Sequence, residues 1–149
     1  PSYVGALGTF RAYQCEIVHV AMDDAGNAMA VWQQLDGTRY NIYASRFAAG
    51  SWGAATLIET DDLGDANFAE VAMDGAGNAT VVWQHSDGAT DHIRANRYTV
   101  SSGWGKDIGI EPASGESGTA RVAVGGGQAV VVWPHFDGTN TLIWANEFR

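Results

Sequence analysis

Apolar and polar positions follow the same pattern three times along the chain. The stretch VAMDDAGNAMAVWQQLDG begins at Val20, VAMDGAGNATVVWQHSDG begins at Val71, and VAVGGGQAVVVWPHFDG begins at Val122. The starting valines are 51 residues apart in both intervals. A repeat at a fixed period of this length indicates one supersecondary unit copied along the chain.

Each copy predicts four strand-length segments separated by turn residues. In the second copy these segments read EVAMD, ATVVWQH, HIRANRY and WGKDIGIE. An Asp-Gly pair such as Asp87-Gly88 stands between the second and third segments, and this pair is a strong hairpin signal. No stretch shows the 3.6-residue apolar period of an amphipathic helix. The pattern therefore predicts an all-β chain.

The second segment of each copy is apolar on both of its faces. Val81 and Trp83 alternate with Thr80 and Val82, as expected for a strand inside a sheet that is covered on both sides. Stacked four-stranded antiparallel units of about 40 to 50 residues are typical of β-propeller blades. We expect one domain over residues 1–149, with blades at roughly 15–59, 68–111 and 119–149. A solenoid is the alternative, although its repeats are typically shorter.

The two ends of the chain are offset by one strand. Residues 3–10, YVGALGTF, stand where a fourth segment would, whereas the final stretch LIWANEFR is a third segment with none after it. Three blades are too few for a ring, since propellers typically have about four to eight. The sequence therefore predicts a homodimer forming one six-bladed ring, in which strand 3–10 completes the third blade of the partner. The alternative is a piece of a longer repeat array.

Charge restricts the partners that the chain can bind. It has 17 acidic and 8 basic residues, for a net charge of −9, which disfavours nucleic acid and anionic membrane surfaces. No apolar run is long enough for a membrane span. The single cysteine, Cys15, excludes an internal disulfide and is expected to be a small buried side chain. No cofactor motif is present, so no cofactor is expected.

Two stretches resemble a known repeat. VAMDDAGNAMAVWQQLDGTRYNIYASRF and GSWGAATLIETDDLGDA are similar to repeats of bacterial cell-surface and secreted proteins that carry sialidase-like β-propeller blades. The MDxxGNAxxVW stretch resembles the Asp-box turn, which has an Asp, a Gly and a following Trp. The resemblance covers nearly the whole chain. It implies a propeller fold and an extracellular or cell-surface location, and it bears little on activity.

One rim of the predicted ring collects the polar turn residues. The turns between the second and third segments meet the fourth-to-first turns there, and this rim is the expected binding face. The candidate ligand-binding residues on it are Gln33, Gln34, Asp36, His85, Asp87, His92, His135 and Asp137. The acidic turn beside them carries Glu59, Asp61, Asp62, Asp65 and Glu70. His19, Glu70 and Arg121 share one repeat position at the channel mouth, where mutual ion pairing is expected and a ligand site is the alternative.

Other recurring residues are predicted to serve structure. Trp32, Trp83 and Trp133 recur at one site in each copy, as expected for packing between blades. Trp52, Trp104 and Trp144 are expected to be partly exposed. The turns at Asp23 and Asp74 could form weak calcium loops, but Gly125 replaces the aspartate in the third copy. A capped turn tolerates that exchange, so no metal site is predicted.

The sequence predicts a non-catalytic binding module for carbohydrate or a surface partner, acting through the rim. The alternatives are a structural or interaction module and a sialidase-like glycan hydrolase. Arg46 and Arg97 become Glu147 in the third copy, and no Tyr/Glu nucleophile pair can be placed. No GxSxG, HExxH, P-loop or paired CxxC motif occurs. Paired carboxylates for glycoside hydrolysis remain open in the acidic turn, because the sequence does not set their separation.

Overall fold

The computed structural model describes residues 15–61, 63–111 and 115–149, and every regular element in them is a β-strand. Sheet 1 consists of β1 (Cys15–Met22), β2 (Ala28–Leu35), β3 (Tyr40–Ala48), β4 (Ser51–Trp52) and β5 (Thr56–Leu57). Sheet 2 consists of β6 (Ala66–Met73), β7 (Ala79–Ser86), β8 (Asp91–Thr99), β9 (Gly103–Trp104) and β10 (Ile108–Gly109). Sheet 3 consists of β11 (Glu116–Ser117), β12 (Arg121–Gly125), β13 (Gln128–Phe136) and β14 (Thr141–Phe148).

All strand pairs in the three sheets are antiparallel, as the hairpin signals predict. The fourth segment of sheets 1 and 2 differs from the prediction. It is divided into two short strands that both pair with the third strand, such as β4 and β5 with β3. The predicted strand 3–10 lies outside the described residues.

The hairpin turns at Asp23 and Asp74 are capped by their own aspartates. Asp23 Oδ1 accepts hydrogen bonds from the N–H groups of Ala25 and Asn27, and Asp23 Oδ2 accepts one from the Asn27 side chain. Asp74 makes the same three contacts in sheet 2. The Asn27 side-chain hydrogen bond is the main cause that holds the pKa of Asp23 below its usual value. The carboxylates thus have the structural role that the third copy indicates.

Two apolar clusters join the sheets. Trp83 and Val81 of sheet 2 pack with Val31 and Ile42 of sheet 1, and Val82 of sheet 2 packs with Trp133 of sheet 3. Trp32, Trp83 and Trp133 are all fully buried. Trp83 and Trp133 lie in the clusters between sheets, as predicted, whereas Trp32 stacks on Tyr43 of its own sheet. Trp52, Trp104 and Trp144 are partly exposed, as expected. Cys15 is also half-buried rather than enclosed, and desolvation raises the pKa of its thiol.

Sheet 3 has an uncovered apolar face. Ile42 of sheet 1 and Ile93 of sheet 2 are 0% exposed because the following sheet covers them, whereas Ile143, at the same repeat position in sheet 3, is 76% exposed. Val130 and Val132 on this face are exposed as well. Within the described ranges no helix is long and apolar enough to cross a membrane.

Candidate functional site

The acidic turn between sheets 1 and 2 lies beside the hairpin turns, as the sequence predicts for one shared rim. Asp65 Oδ1 accepts a hydrogen bond of 2.8 Å from the Tyr40 N–H at the end of the first hairpin turn. The Asp65 carbonyl accepts one of 2.9 Å from the Ser86 N–H at the start of the second. These bonds fix the turn carrying Glu59 and Asp61 against sheets 1 and 2.

Three of the predicted site aspartates cap their own turns. Asp87 Oδ1 accepts hydrogen bonds of 2.8 Å from the N–H groups of Ala89 and Thr90. The bond from Thr90 is the main cause that lowers the pKa of Asp87 to about 2. Asp36 and Asp137 accept equivalent bonds in their turns. These aspartates therefore shape the rim, and a ligand-binding role for them stays a prediction.

The two glutamines of the predicted site contact protein groups. Gln33 is buried, and its Oε1 accepts a hydrogen bond of 3.1 Å from the Phe68 N–H of sheet 2. Gln34 Oε1 accepts one of 3.4 Å from the Trp32 indole. Gln33 therefore joins sheets 1 and 2 and does not open toward the rim.

The residues at the predicted channel mouth form the expected ion pairs. Glu70 Oε1 lies 2.7 Å from an Arg121 guanidinium nitrogen, and Glu70 Oε2 lies 3.5 Å from His19 Nδ1. The three side chains belong to β6, β12 and β1, so the pairs connect the first long strand of all three sheets. This pairing accounts for the positions of His19, Glu70 and Arg121 in the fold.

His135 is enclosed at the third copy of the histidine position. Its Nδ1 lies 2.9 Å from the Ser117 hydroxyl, and its ring packs against Trp144 at a centroid distance of 4.8 Å. His135 is buried by these contacts.

Sheet 2 carries a different set of side chains at the same level of the fold. Arg94 Nε donates a hydrogen bond of 2.7 Å to Asp107 Oδ2, and Arg94 also donates one of 3.2 Å to Asp61 Oδ2. Asp107 Oδ1 accepts a further bond from the Thr60 hydroxyl. His85 lies beside Asp61, with 3.6 Å between His85 Nε2 and Asp61 Oδ1. The guanidinium thus holds Asp61 of the acidic turn against sheet 2.

His92 stands at the outer edge of this cluster between two carboxylates. Its Nε2 lies 3.2 Å from Asp87 Oδ2, and its Nδ1 lies 3.3 Å from Glu111 Oε2. Glu111 is itself fixed by a hydrogen bond of 2.9 Å from the Ile93 N–H. Desolvation lowers the pKa of His92, but the hydrogen bonds to Asp87 and Glu111 outweigh it, so the net shift is upward.

The pKa values of His85 and Asp107 are both lowered, and the two shifts have opposite effects on charge. Burial is the main cause that lowers the pKa of His85, which therefore favours the neutral ring. Desolvation would raise the pKa of Asp107, yet the hydrogen bonds from Thr60 and Arg94 hold it below its usual value. The cluster therefore contains a neutral imidazole next to an ionised, buried carboxylate.

Two adjoining clefts open onto the cluster. One has a volume of about 310 Å³, and the other has a volume of about 480 Å³ and extends toward sheet 1. Asp61 lines both clefts, whereas Glu59 lines the second. The first cleft is lined by Asp61, His85, Asp87, His92, Ile93, Arg94, Gly109 and Glu111. A ligand in either cleft would contact Asp61.

The sequence prediction missed Arg94, Asp107 and Glu111 as site residues. The signal for the first two is departure from the repeat, since Arg94 replaces Tyr43 of sheet 1 and Trp144 of sheet 3. Asp107 likewise stands where sheet 1 has Ala55. Arg94 and Asp107 are therefore polar departures from the repeat that bond to each other, whereas Glu111 repeats Glu59 of sheet 1.

Comparison with known proteins identifies the class of fold. The chain is similar to the solved structure of an endo-arabinase from Bacteroides thetaiotaomicron VPI-5482, with a TM-score of 0.55 and 14% sequence identity. The match covers 91% of this chain and 56% of that chain, so this chain spans just over half of the enzyme's length. That enzyme is a β-propeller glycosidase. At this identity the likeness shows the fold, which is all-β and propeller-like.

No protein-family model matches the chain, and a search of curated proteins finds no relative. The findings support a propeller-like fold but not the sialidase-like repeat family that the sequence resembles. They also contradict the predicted non-catalytic binding module, because the structural neighbour that shares the fold is a glycoside hydrolase. The repeat made the rim look uniform, whereas the bonded cluster of Arg94, Asp107 and Asp61 lies on sheet 2.

Proposed function

We propose that this chain cleaves glycosidic bonds in the clefts beside sheet 2, with Glu59 and Asp61 as the carboxyl pair. The observation that carries the proposal is that these two carboxyl groups flank one buried imidazole. Glu59 Oε2 lies 4.0 Å from His85 Nδ1, and Asp61 Oδ1 lies 3.6 Å from His85 Nε2. Because one imidazole ring lies between them, the two carboxyl groups are separated by at most about 10 Å. Carboxyl pairs in glycosidases are separated by roughly 5–9.5 Å.

The two carboxyl groups have unequal surroundings, which suits unequal roles. The Glu59 side chain is 3% exposed, whereas the Asp61 side chain is 27% exposed and contacts Arg94. Glycosidases commonly use one carboxyl group as proton donor to the leaving oxygen and the other as base or nucleophile. In this proposal Glu59 is the donor, and Asp61, which faces both clefts, is the base.

The charges around the clefts favour a neutral sugar chain. Asp61, Asp87 and Glu111 line the first cleft, and the Arg94 guanidinium already bonds to two aspartates. An anionic sugar would therefore meet carboxylates without a strong cationic partner in the cluster. Arabinan is the first substrate to test, since the structural neighbour is an endo-arabinase. A polymeric substrate also fits the extracellular setting expected from the sequence.

The test is release of reducing ends from a panel of neutral polysaccharides that includes arabinan, with an acidic polysaccharide for comparison. Asp61→Asn and Glu59→Gln should each lower kcat by about 10²- to 10⁴-fold, the usual contribution of a general acid or base. Asp24→Asn is the matched control, since it removes the same charge from an exposed residue on the opposite rim. Wild-type rates in both site variants, or no release from any polysaccharide, would contradict the proposal.

We further propose that two copies form a six-bladed ring, which would cover the apolar face of sheet 3. Supporting this, Ile143 is 76% exposed there although its counterparts are enclosed, and Val18, Val20 and Met22 of sheet 1 are also exposed. The third sheet of one copy would then pack on the first sheet of its partner, as successive sheets pack within the chain.

Light scattering at micromolar concentration tests the ring. The wild-type chain should have twice the mass of one copy. Ile143→Asp should yield single copies, whereas Val100→Asp, at an exposed residue in a turn of sheet 2, should not. A folded wild-type chain with the mass of one copy would refute the dimer and leave the glycosidase proposal intact, because its residues lie within one chain.

A further inference from the structure

His85 is sealed from solvent and has no hydrogen-bond partner within the part of the chain that the structure describes. Its side chain is 3% exposed, and both ring nitrogens are enclosed without a donor or acceptor at bonding distance. A buried polar group without a partner costs about 1–3 kcal/mol, so its presence requires an explanation.

The third copy of the repeat has a histidine at the same position that differs from His85 at Nδ1, since Nε2 lacks a partner in both rings. His135 Nδ1 bonds to the Ser117 hydroxyl at 2.9 Å. Ser117 pairs with His135 across the strands just as Ala66 pairs with His85. Ala66 carries a methyl group and no hydroxyl, so Nδ1 of His85 is left facing Glu59.

We propose that His85 is a proton relay that returns a proton from Asp61 to Glu59 after each glycosidic cleavage. This inference rests on the proposed function and assigns a positioning and proton-transfer role to a residue that does not touch substrate. Each ring nitrogen faces one member of the pair, which is the arrangement that a relay needs.

The relay balances the protons of a single-displacement hydrolysis. In the cleavage step, Glu59 gives its proton to the leaving oxygen while Asp61 takes one from the attacking water, so one carbon–oxygen bond breaks and one forms. Glu59 is then deprotonated and Asp61 protonated. His85 accepts the proton from Asp61 at Nε2 and releases the Nδ1 proton to Glu59, and both carboxyl groups regain their starting states. The ring proton, now on Nε2, returns to Nδ1 by exchange with water in the empty cleft before the next turnover.

The charged groups around His85 are compatible with a ring that is neutral at rest. Asp61 and Glu59 face it from the acidic turn, Arg94 and His92 face it from β8, and Asp107 faces it from the segment between β9 and β10. Burial lowers the pKa of the ring, with Asp61 opposing and Arg94 assisting. A neutral imidazole offers one acceptor and one donor nitrogen, as transfer in one direction requires.

The two distances are longer than hydrogen bonds. Closure from 3.6 and 4.0 Å to about 2.7–3.2 Å is needed at each nitrogen. Catalytic hydrogen bonds in enzymes without substrate are often long and tighten when substrate binds.

The experiment compares His85→Ala and Ala66→Ser with His135→Ala as the matched control. His85→Ala should lower kcat by about 10²-fold with little change in KM, and added imidazole should restore activity by filling the vacated space. Ala66→Ser supplies the hydroxyl that Ser117 gives to His135, so it should also lower kcat by competing for Nδ1. His135→Ala should show no dependence of kcat on imidazole.

Nitrogen NMR of the His85 ring gives a readout that does not need hydrolysis. Glu59→Gln should shift mainly Nδ1, Asp61→Asn should shift mainly Nε2, and Ala66→Ser should shift Nδ1. Ring nitrogen shifts that are unchanged in all three variants would overturn the relay. Wild-type kcat in both Ala66→Ser and His85→Ala would overturn it as well. Absence of hydrolysis in the wild-type chain would instead refute the proposed function, which keeps the two failures distinct.

Discussion

At the scale of single residues, histidines at the same repeat position have different contacts in different copies of the repeat. His85 and His135 occupy one repeat position, yet only His135 has a hydroxyl partner. The sequence could indicate both histidines as candidates from their place near the Asp-Gly turns. It could not separate them, because the distinction depends on Ala66 and Ser117, which lie across a strand pair and far away in the chain.

Gln33 is predicted to stabilise the contact between sheets 1 and 2. Gln33→Ala leaves the Phe68 N–H without its acceptor, and the loss of a part-buried hydrogen bond costs about 0.5–1.5 kcal/mol. Urea unfolding should show this loss. Gln34→Ala should cost less, because the indole contact that Gln34 accepts is 3.4 Å long. Equal losses in the two variants would show that the contact with Phe68 is not the source.

His92 should make stability depend on pH. Desolvation lowers the pKa of His92, but Asp87 and Glu111 outweigh it, so the folded-state pKa is raised. The stabilising contribution of His92 is therefore complete below its unfolded pKa, and it is lost as the pH rises through its folded pKa. Wild type should therefore exceed His92→Gln in free energy of unfolding at pH 5.5, by about 1 kcal/mol or less, and the gap should narrow at pH 8.5. A gap that widens with pH would contradict this sign.

At the scale of elements, the repeat pattern predicts the long strands and their hairpins well. The apolar alternation around Trp83 and the Asp-Gly turns fix β7 and β8 and their register. The fourth segment was predicted as one strand and is broken instead, because its register against the third strand shifts by one residue between β4 and β5, and again between β9 and β10. Such a local break has no signature in a short segment with weak alternation.

The acidic turn depends on a close backbone approach at Gly64. A Cβ added there would overlap the Ser86 carbonyl, which is backbone and cannot move aside easily. Gly64→Ala should cost about 1–3 kcal/mol of stability and should lower hydrolysis by displacing Asp61. Gly125→Ala is the control, since a Cβ there meets nothing within 4 Å. Thermal melts and kcat together check this, and unchanged values in Gly64→Ala would refute the turn's proposed role.

At the scale of the whole molecule, the sequence predicts the class of fold but not which residues form the candidate site. Three similar copies indicate stacked antiparallel sheets, and the structure and its endo-arabinase neighbour support a propeller-like arrangement. Arg94, Asp107 and Asp61 come from segments well separated in the chain, and only the packing of the turn onto sheet 2 brings them within bonding distance. No spacing rule could have joined them.

The proposed relay has a stereochemical consequence. A reset between two different carboxyl groups is needed when each acts once per turnover, as in inverting glycosidases. Proton NMR of the first product formed from a suitable oligosaccharide should therefore show inversion at the anomeric carbon. Retention would be incompatible with the relay, although it would still agree with a glycosidase.

The exposed apolar face of sheet 3 has a consequence for the thermal stability of a single copy. Every group assigned to bond cleavage lies in sheets 1 and 2 and the turn that joins them, so dissociation would leave the reaction centre whole while wetting Val132 and Ile143. Dilution should thus shorten the working lifetime at elevated temperature before it affects the initial rate per chain. In the proposed dimer, assembly would therefore govern thermal lifetime and not the rate of cleavage.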